Sequence, residues 1–144
     1  RDLAMRLGVK KYVTFHGYIP DHLDLEIQLS KCSLAIAPYE DTQDNFIRHT
    51  DPGKVKAYLA AGLPIIITKV PDVLKDLEKN RCGKACEANP SAIAKMIILL
   101  LTDEASLRLY RKNAVVYSKK FSWDRIFTQA FQTSNKIFSP GLRE

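Results

Sequence analysis

Short apolar runs alternate with segments of helical periodicity between residues 12 and 87. The runs predict strands at 12–15, 34–37 and 64–68 with a short edge strand at 84–87, and the segments between them predict helices at 23–31, 52–61 and 73–78. Two of the runs are apolar throughout, as in strands covered on both faces, and such strands are typical of parallel sheets. The strand–helix–strand order predicts right-handed βαβ units. The predicted fold class is therefore α/β, a parallel sheet with helices on both faces.

The last third of the chain is predicted to be helical. Its apolar side chains follow helical spacing at 93–101, 107–117 and 123–131. We interpret the aromatic stripe at 123–131 as core packing rather than as a ligand platform. Residues 1–7 predict an amphipathic helix and not a signal peptide. The chain begins inside this pattern without a methionine, so we expect one domain over residues 1–144, cut from a longer protein at its N-terminal edge.

The composition is that of a soluble globular domain. Of the 144 residues 46% are hydrophobic and 26% are charged, and no apolar run reaches the roughly 18 residues that a membrane-spanning helix needs. The formal charge of +6 favours anionic partners, such as phosphates or an acidic membrane face. Because the basic residues are scattered and no basic–aromatic stripe accompanies them, we do not expect nucleic-acid binding. A solvated basic surface is the simpler alternative.

The three cysteines do not form a disulfide framework, because their number is odd. We therefore expect a reduced, cytoplasmic setting, with the inner membrane surface as a second location for so basic a chain. Cys82 and Cys86 lie four residues apart, but no histidine or second cysteine pair accompanies them. We expect no metal site there.

The segment 50–64 carries the strongest chemical signal. Asp51 is a good N-cap and Pro52 suits the first helical position, so the start of a helix is well marked. A helix start presents free N–H groups and the positive end of the macrodipole, which together favour phosphate. Gly53 lets a ligand approach the backbone, and Lys54 places a cation where it costs about 0.3–1 kcal/mol unless an anion offsets it. The segment predicts a phosphate site, the alternative being an ordinary capped helix with a lysine in solvent.

This predicted site lies at the carboxyl edge of the sheet, where open α/β sheets bind their ligands. The helix follows the second strand and a polar loop at 39–51, whose length is typical of functional loops. The turn at Gly17 and Tyr18 leaves the first strand at the same edge. Its backbone would contact a base while the helix start holds the phosphates.

Four stretches of the chain are similar in order and spacing to those of a known family. They are Val13-Thr14-Phe15-His16-Gly17-Tyr18, Leu34-Ala35-Ile36-Ala37-Pro38, the segment from Lys54 through Ala57-Tyr58-Leu59-Ala60 and Gly62 to Pro64-Ile65-Ile66, and Phe121-Ser122-Trp123. Together they resemble the C-terminal domain of the GT-B glycosyltransferases of group 1. The resemblance implies a Rossmann-like domain that binds a nucleotide-sugar, usually carrying UDP or GDP, without a metal or other cofactor. It also implies that an N-terminal domain of the same protein supplies the acceptor site, and that the final helix crosses back to that domain.

The resemblance assigns parts of the donor to residues of this chain. The base would lie near Gly17 and Tyr18, and the diphosphate would lie along residues 51–54. The candidate donor site comprises Gly17, Tyr18, His49, Thr50, Asp51, Pro52, Gly53, Lys54 and Ala57.

The chain departs from the family at two of these positions. Family members commonly have two glutamates, one that contacts the donor sugar and one that binds the ribose hydroxyls, and His49 and Ala57 stand in their places. The ribose contact must then be replaced, or the donor differs, or activity has been lost. Asp41, Asp44 and Asp51 are the nearby carboxylates that would substitute.

Two functions follow from these observations. The first is an enzyme that transfers a hexosyl group from a nucleotide-sugar to an acceptor, with retention of configuration implied by the family. Lys54 and the helix N–H groups would stabilise the departing diphosphate, and the isolated chain should be inactive without its acceptor domain. The alternative is a non-catalytic module that keeps the fold and a phosphate site, which the residues at His49 and Ala57 favour.

Overall fold

The computed structural model of the protein describes residues 1–40 and 46–138. A parallel sheet of three strands forms its centre, in the order β1 (Ala35–Ala37), β2 (Ile65–Thr68) and β3 (Gly83–Cys86). Ile36 pairs with Ile66, and Ile66 pairs with Lys84, across the two parallel ladders. The strands predicted at 34–37, 64–68 and 84–87 are confirmed. Asp41 and Asp44, proposed above as substitute carboxylates, lie outside the described residues.

Helices precede, connect and follow the strands. They are α1 (Asp2–Arg6), α2 (His22–Ser30), α3 (Gly53–Ala60), α4 (Val73–Lys79), α5 (Pro90–Thr102), α6 (Glu104–Ser118) and α7 (Trp123–Phe138). Short 3-10 turns lie at Lys10–Tyr12, Phe46–His49 and Lys119–Phe121. The helices predicted at 23–31, 52–61 and 73–78 correspond to α2, α3 and α4. Within the two described ranges, every helix is too short or too polar to cross a membrane.

Strand β2 is buried on both faces, as its continuous apolar run predicts, whereas Ile36 of β1 is 38% exposed. Ile65 and Ile67 of β2 are fully buried on one face, in a cluster with Leu59 of α3 and Leu77 of α4. Ile66 is also fully buried and points to the other face, because side chains alternate along a strand. There α5 packs on β2 and β3, whereas α6 packs against α3 on the first face, where its Ala114 and Tyr117 join the cluster. The α/β fold with helices on both faces is therefore confirmed.

The turn from α3 into β2 fixes the helix relative to the sheet. Gly62 has a φ of 70°. Its amide donates to the carbonyl oxygen of Leu59 at 3.0 Å, and the amide of Leu63 donates to that of Tyr58 at 2.9 Å. This pair of bonds is a Schellman motif, which needs a positive φ after the helix and so favours glycine. The predicted end of the helix at Gly62 is confirmed.

The strand predicted at 12–15 is wrong. Lys10–Tyr12 forms a 3-10 turn, and among the described residues no backbone hydrogen bond joins residues 14–20 to another element. Tyr12 is 77% exposed and Phe15 is 46% exposed. A strand needs the hydrogen bonds of a neighbouring strand, and an apolar sequence does not by itself provide that neighbour.

The aromatic stripe of α7 forms a helix as predicted, but its side chains do not pack in the core. Trp123, Phe127 and Phe131 are 72%, 54% and 67% exposed, and the first two rings stack on each other with centroids 5.8 Å apart. The main neighbour of α7 within the described part is the adjacent 3-10 turn Lys119–Phe121. Helical spacing determines that one face is apolar, whereas the packing of the rest of the molecule determines whether that face is covered.

Candidate functional site

The ends of β1 and β2 and the start of α3 meet at the carboxyl edge of the sheet. The hydroxyl of Thr68, the last residue of β2, donates to the carbonyl oxygen of Tyr39 at 2.6 Å and accepts from the amide of Tyr39 at 2.8 Å. Tyr39 follows β1, and the Nζ atom of Lys54 lies 4.4 Å from the centroid of its ring. The start of α3 is thus placed at the edge where the sequence predicts a ligand site.

The start of α3 is an open helix N-terminus. Pro52, and not Asp51 as predicted, is the N-cap residue, and the helix begins at Gly53 without a side-chain cap. The Asp51 carboxylate is drawn away from the helix amides because it forms an ion pair with the Nζ atom of Lys56. A Cβ atom on Gly53 would meet nothing within 4 Å. We call Pro52, Gly53 and Lys54 the α3 mouth, where the first helix amides have no side-chain cap among the described residues and Gly53 has open space around its Cα.

Lys54 adds a positive charge to this mouth. It is exposed, and no carboxylate of the described residues forms an ion pair with it. Its ammonium lies over the ring of Tyr39, a cation–π contact of about 0.5–1 kcal/mol at an exposed site. The positive end of the helix dipole and this ammonium repel each other, and a bound anion would relieve that repulsion.

Tyr39 itself carries an unsatisfied polar group at the same edge. Its hydroxyl oxygen is buried without a hydrogen-bond partner among the described residues, and burial raises the pKa of the side chain. A cleft of about 250 Å³ adjoins Tyr39 at the carboxyl ends of the strands, lined also by Pro38, Glu40, Thr68, Ala88, Asn89, Pro90 and Ile93. An unpaired buried hydroxyl is unfavourable, so Tyr39 is a candidate ligand contact that the sequence alone did not single out.

His49 and Thr50 close the 3-10 turn that precedes the α3 mouth. The amide and the hydroxyl of Thr50 both donate to the carbonyl oxygen of Ile47, at 3.4 and 2.9 Å, so this hydroxyl is used inside the turn. The Nδ1 atom of His49 lies 3.0 Å from Oδ2 of Asp72, and the amide of Asp72 donates to the carbonyl oxygen of Arg48 at 2.8 Å. Because Asp72 follows β2, these two bonds fasten the turn to the carboxyl edge.

Asp72 is a residue of this candidate site that the sequence did not single out. The hydrogen bond with His49, assisted by the charge of Lys75 whose Nζ atom lies 3.5 Å from Oδ1, holds the pKa of the Asp72 carboxyl below its usual value. Asp72 and His49 are 23 residues apart in sequence. No local pattern connects them, and only the folded chain brings them together.

Ala57 lies away from the α3 mouth, in a groove between α2 and α3. The groove has a volume of about 380 Å³ and is lined by His22, Leu25, Glu26, Leu29, Ser30, Ala57, Ala60 and Ala61. Glu26 brings a carboxylate to this groove, and among the described residues no hydrogen bond or ion pair occupies it. Sequence periodicity assigned Glu26 to α2 but gave no sign that it would lie in the same groove as Ala57.

Gly17 and Tyr18 form a separate turn. Gly17 has a φ of 72°, and Tyr18 is 90% exposed. In the part of the chain that the structure describes, no hydrogen bond, ion pair or ring contact joins either residue to the α3 mouth. Residues 49–54 are therefore gathered at the carboxyl edge, while the contact of Gly17 and Tyr18 with a ligand stays a prediction.

Comparisons with known proteins agree with this architecture. The family model of glycosyl transferases group 1 matches residues 1–103, which include all three strands and every predicted site residue. The solved structure of sucrose-phosphate synthase from Thermosynechococcus elongatus superposes with a TM-score of 0.76 over 97% of this chain, at 24% sequence identity. This chain covers 34% of that enzyme. No curated protein matches the sequence.

Proposed function

Because this chain belongs to the glycosyl transferases group 1, we propose that it is the donor-binding domain of an enzyme that transfers a sugar from a UDP- or GDP-sugar to an acceptor. The observation that carries the proposal is the α3 mouth. The amides of Gly53 and Lys54 lack a side-chain cap, and the Lys54 ammonium lacks a carboxylate partner within the described residues. Free amides and an uncompensated cation at one helix start favour a diphosphate.

The proposed catalytic role of this mouth is to stabilise the leaving group. Negative charge grows on the diphosphate as its bond to the sugar breaks. The helix amides and Lys54 are in place before the reaction, so they stabilise that charge without reorganising. The acceptor site would come from a second domain, and the family's retention of configuration is part of the proposal. Divalent metal is not required by this scheme.

The nucleoside end of the donor would lie between the turn at Gly17 and Tyr18 and the groove beside Ala57. A glutamate is absent at position 57, and we include Glu26 as the carboxylate that binds the ribose hydroxyls in its place. Its position on the same groove supports this assignment. Glu26→Gln should then weaken nucleoside and nucleoside diphosphate binding by the same factor, since both carry the ribose.

The test of the diphosphate site is the variant Lys54→Ala in the full-length protein. Loss of one charge-assisted contact should weaken UDP or GDP binding about tenfold or more and leave nucleoside binding almost unchanged. Isothermal titration with UDP, GDP, uridine and guanosine measures both effects. Lys79→Ala is the control, because it removes the same charge at the end of α4, which points away from the carboxyl edge.

Equal losses for the nucleoside and the diphosphate would contradict the phosphate role of Lys54. The second function, a non-catalytic phosphate-binding module, is favoured by His49 and Ala57 in place of the two family glutamates. It predicts nucleotide binding without turnover of any UDP- or GDP-sugar. Absence of binding at millimolar nucleotide would exclude the enzyme proposal.

A further inference from the structure

The contact between His49 and Asp72 contributes little to folding stability, because both side chains are largely in water. His49 is 79% exposed and Asp72 is 56% exposed at the side chain, and exposed ion pairs are weakly stabilising. The geometry is nevertheless specific. Asp72 accepts from the ring at Nδ1 with its carboxylate and donates to the carbonyl oxygen of Arg48 with its amide. One residue thus fixes both the backbone of the turn and the orientation of the imidazole.

This arrangement determines which ring atom is available to a ligand. With Nδ1 facing Asp72, the Nε2 atom is the second hydrogen-bonding group of the ring, and no described residue is bonded to it. A carboxylate on Nδ1 is the usual device that selects the tautomer and direction of a functional imidazole. The turn that carries His49 ends four residues before α3 begins at Gly53.

The charges around this turn favour an anion over a neutral or cationic group. Two described carboxylates beside this turn are engaged, Asp51 with Lys56 and Asp72 with His49 and Lys75. Lys54 has no carboxylate partner within the described residues. When both nitrogens of an imidazole carry hydrogen, both donate, and such a ring bonds a carboxylate at Nδ1 and an anion at Nε2 at the same time.

We propose that Asp72 is a positioning residue that directs Nε2 of His49 to the terminal phosphate of a nucleoside diphosphate whose other phosphate occupies the α3 mouth. The inference rests on the proposed function, and it adds a selectivity. A nucleoside monophosphate leaves His49 without a partner, whereas a diphosphate engages the mouth and the imidazole together. The site therefore prefers a nucleoside diphosphate to the corresponding monophosphate, and Asp72 is the source of part of that preference.

The test uses UDP and UMP, or GDP and GMP, with the full-length protein. Asp72→Ala should weaken binding of the diphosphate about tenfold, which is the loss expected for one charge-assisted hydrogen bond. The affinity for the monophosphate should stay unchanged. Asp72→Asn keeps an acceptor for Nδ1 without the charge, so it should retain more diphosphate affinity than Asp72→Ala. Lys75→Met is the matched control, because it removes the other contact of the same carboxylate and should alter neither ligand's affinity.

A spectroscopic readout separates orientation from general loss of structure. Long-range ¹H–¹⁵N spectra of the histidine rings, assigned with His49→Gln and referenced to His16 and His22, report the state of each nitrogen. Diphosphate should shift the Nε2 signal of His49, and the shift should be lost in Asp72→Ala while the melting temperature stays within a few degrees of the parent.

The outcomes distinguish this inference from the proposed function. If Lys54→Ala weakens diphosphate binding but Asp72→Ala does not, the role of Asp72 is refuted while the donor site stands. Equal weakening of diphosphate and monophosphate by Asp72→Ala, or an unchanged Nε2 signal on saturation with diphosphate, also refutes it. If the parent binds no nucleotide, the inference and the proposed function both fail.

Discussion

At the scale of single residues, the environment of each cysteine determines its chemistry. Cys82 and Cys86 are buried in or beside β3, whereas Cys32 is exposed after α2. Burial raises the pKa of the Cys82 thiol to about 11. The pKa of Cys86 is also raised, mainly by burial and further by the charge of Glu87. Both buried thiols therefore stay protonated at neutral pH, and within the described residues no cluster of metal-ligating side chains forms around them.

This difference predicts the order in which the thiols react. In the native protein at pH 8, a thiol-specific alkylating reagent should modify Cys32 and leave Cys82 unmodified, because the thiolate is the nucleophile and Cys82 forms it only as the pH approaches its raised pKa of about 11. Peptide mapping by mass spectrometry measures the modified fraction at each site. In denaturant all three cysteines should react, which is the control. Rapid native modification of Cys82 at pH 8 would show that β3 is not packed as described.

At the scale of elements, the α3–β2 turn depends on Gly62. A Cβ atom at this position would lie 3.1 Å from Cγ2 of Val115 on α6, and the backbone has a φ of 70°. Conformation and packing therefore both favour glycine. Gly53, at the other end of the same helix, has open space where a Cβ would lie.

Gly62→Ala should lower the free energy of unfolding by about 1–2 kcal/mol, the cost of a left-handed conformation for a residue with a side chain. The Val115 contact adds to that loss. Gly53→Ala is the matched control and should leave stability unchanged or raise it by up to about 1 kcal/mol, since it restricts the unfolded chain at a compatible position. Urea unfolding of the two variants measures both values. Equal effects would contradict the assigned helix end.

The α2–α3 groove gives a second prediction at this scale. Ala57→Glu should fold, because the groove of about 380 Å³ holds the longer side chain, but the new carboxylate shares the groove with Glu26. The stability loss should therefore be smaller when Ala57→Glu is made in a Glu26→Gln background. A double-mutant cycle of unfolding free energies measures the coupling. A coupling of zero would mean that the two side chains do not meet in the groove.

At the scale of the whole molecule, the apolar side chains of the sheet and those of α7 differ in burial. The isoleucines of β2 are fully buried, whereas the aromatic face of α7 lies in water within the described structure. Folding stability should then depend on the sheet and its covering helices and hardly on the α7 stripe.

Substitutions at the two surfaces should differ accordingly. Phe131→Ser, at a residue 67% exposed, should change the free energy of unfolding by no more than about 0.5 kcal/mol. Leu59→Ala, at a fully buried position of α3, should lower it by about 2–5 kcal/mol. Chemical denaturation of both variants makes the comparison. A large loss for Phe131→Ser would show that α7 is packed against the domain in solution.

Local signals were sufficient for much of this protein. The three sheet strands, the helices between them and the end of α3 at Gly62 follow from apolar runs, periodicity and the backbone freedom of glycine. These features depend on residues that are neighbours in the sequence, so they can be predicted from the sequence alone. The open helix start with Lys54 was predictable for the same reason, although its N-cap residue was not.

Long-range contacts determined the rest. The run at 12–15 is as apolar as a strand but has no ladder partner among the described residues, and the α7 stripe has the spacing of a core helix without a cover. Lys56 draws the Asp51 carboxylate away from the helix amides, and Asp72 orients His49 across 23 residues of sequence. Strand pairing, the burial of a helix face and side-chain contacts depend on which segments lie next to each other in space. Only the folded molecule determines these contacts, and with them the arrangement of the proposed donor site.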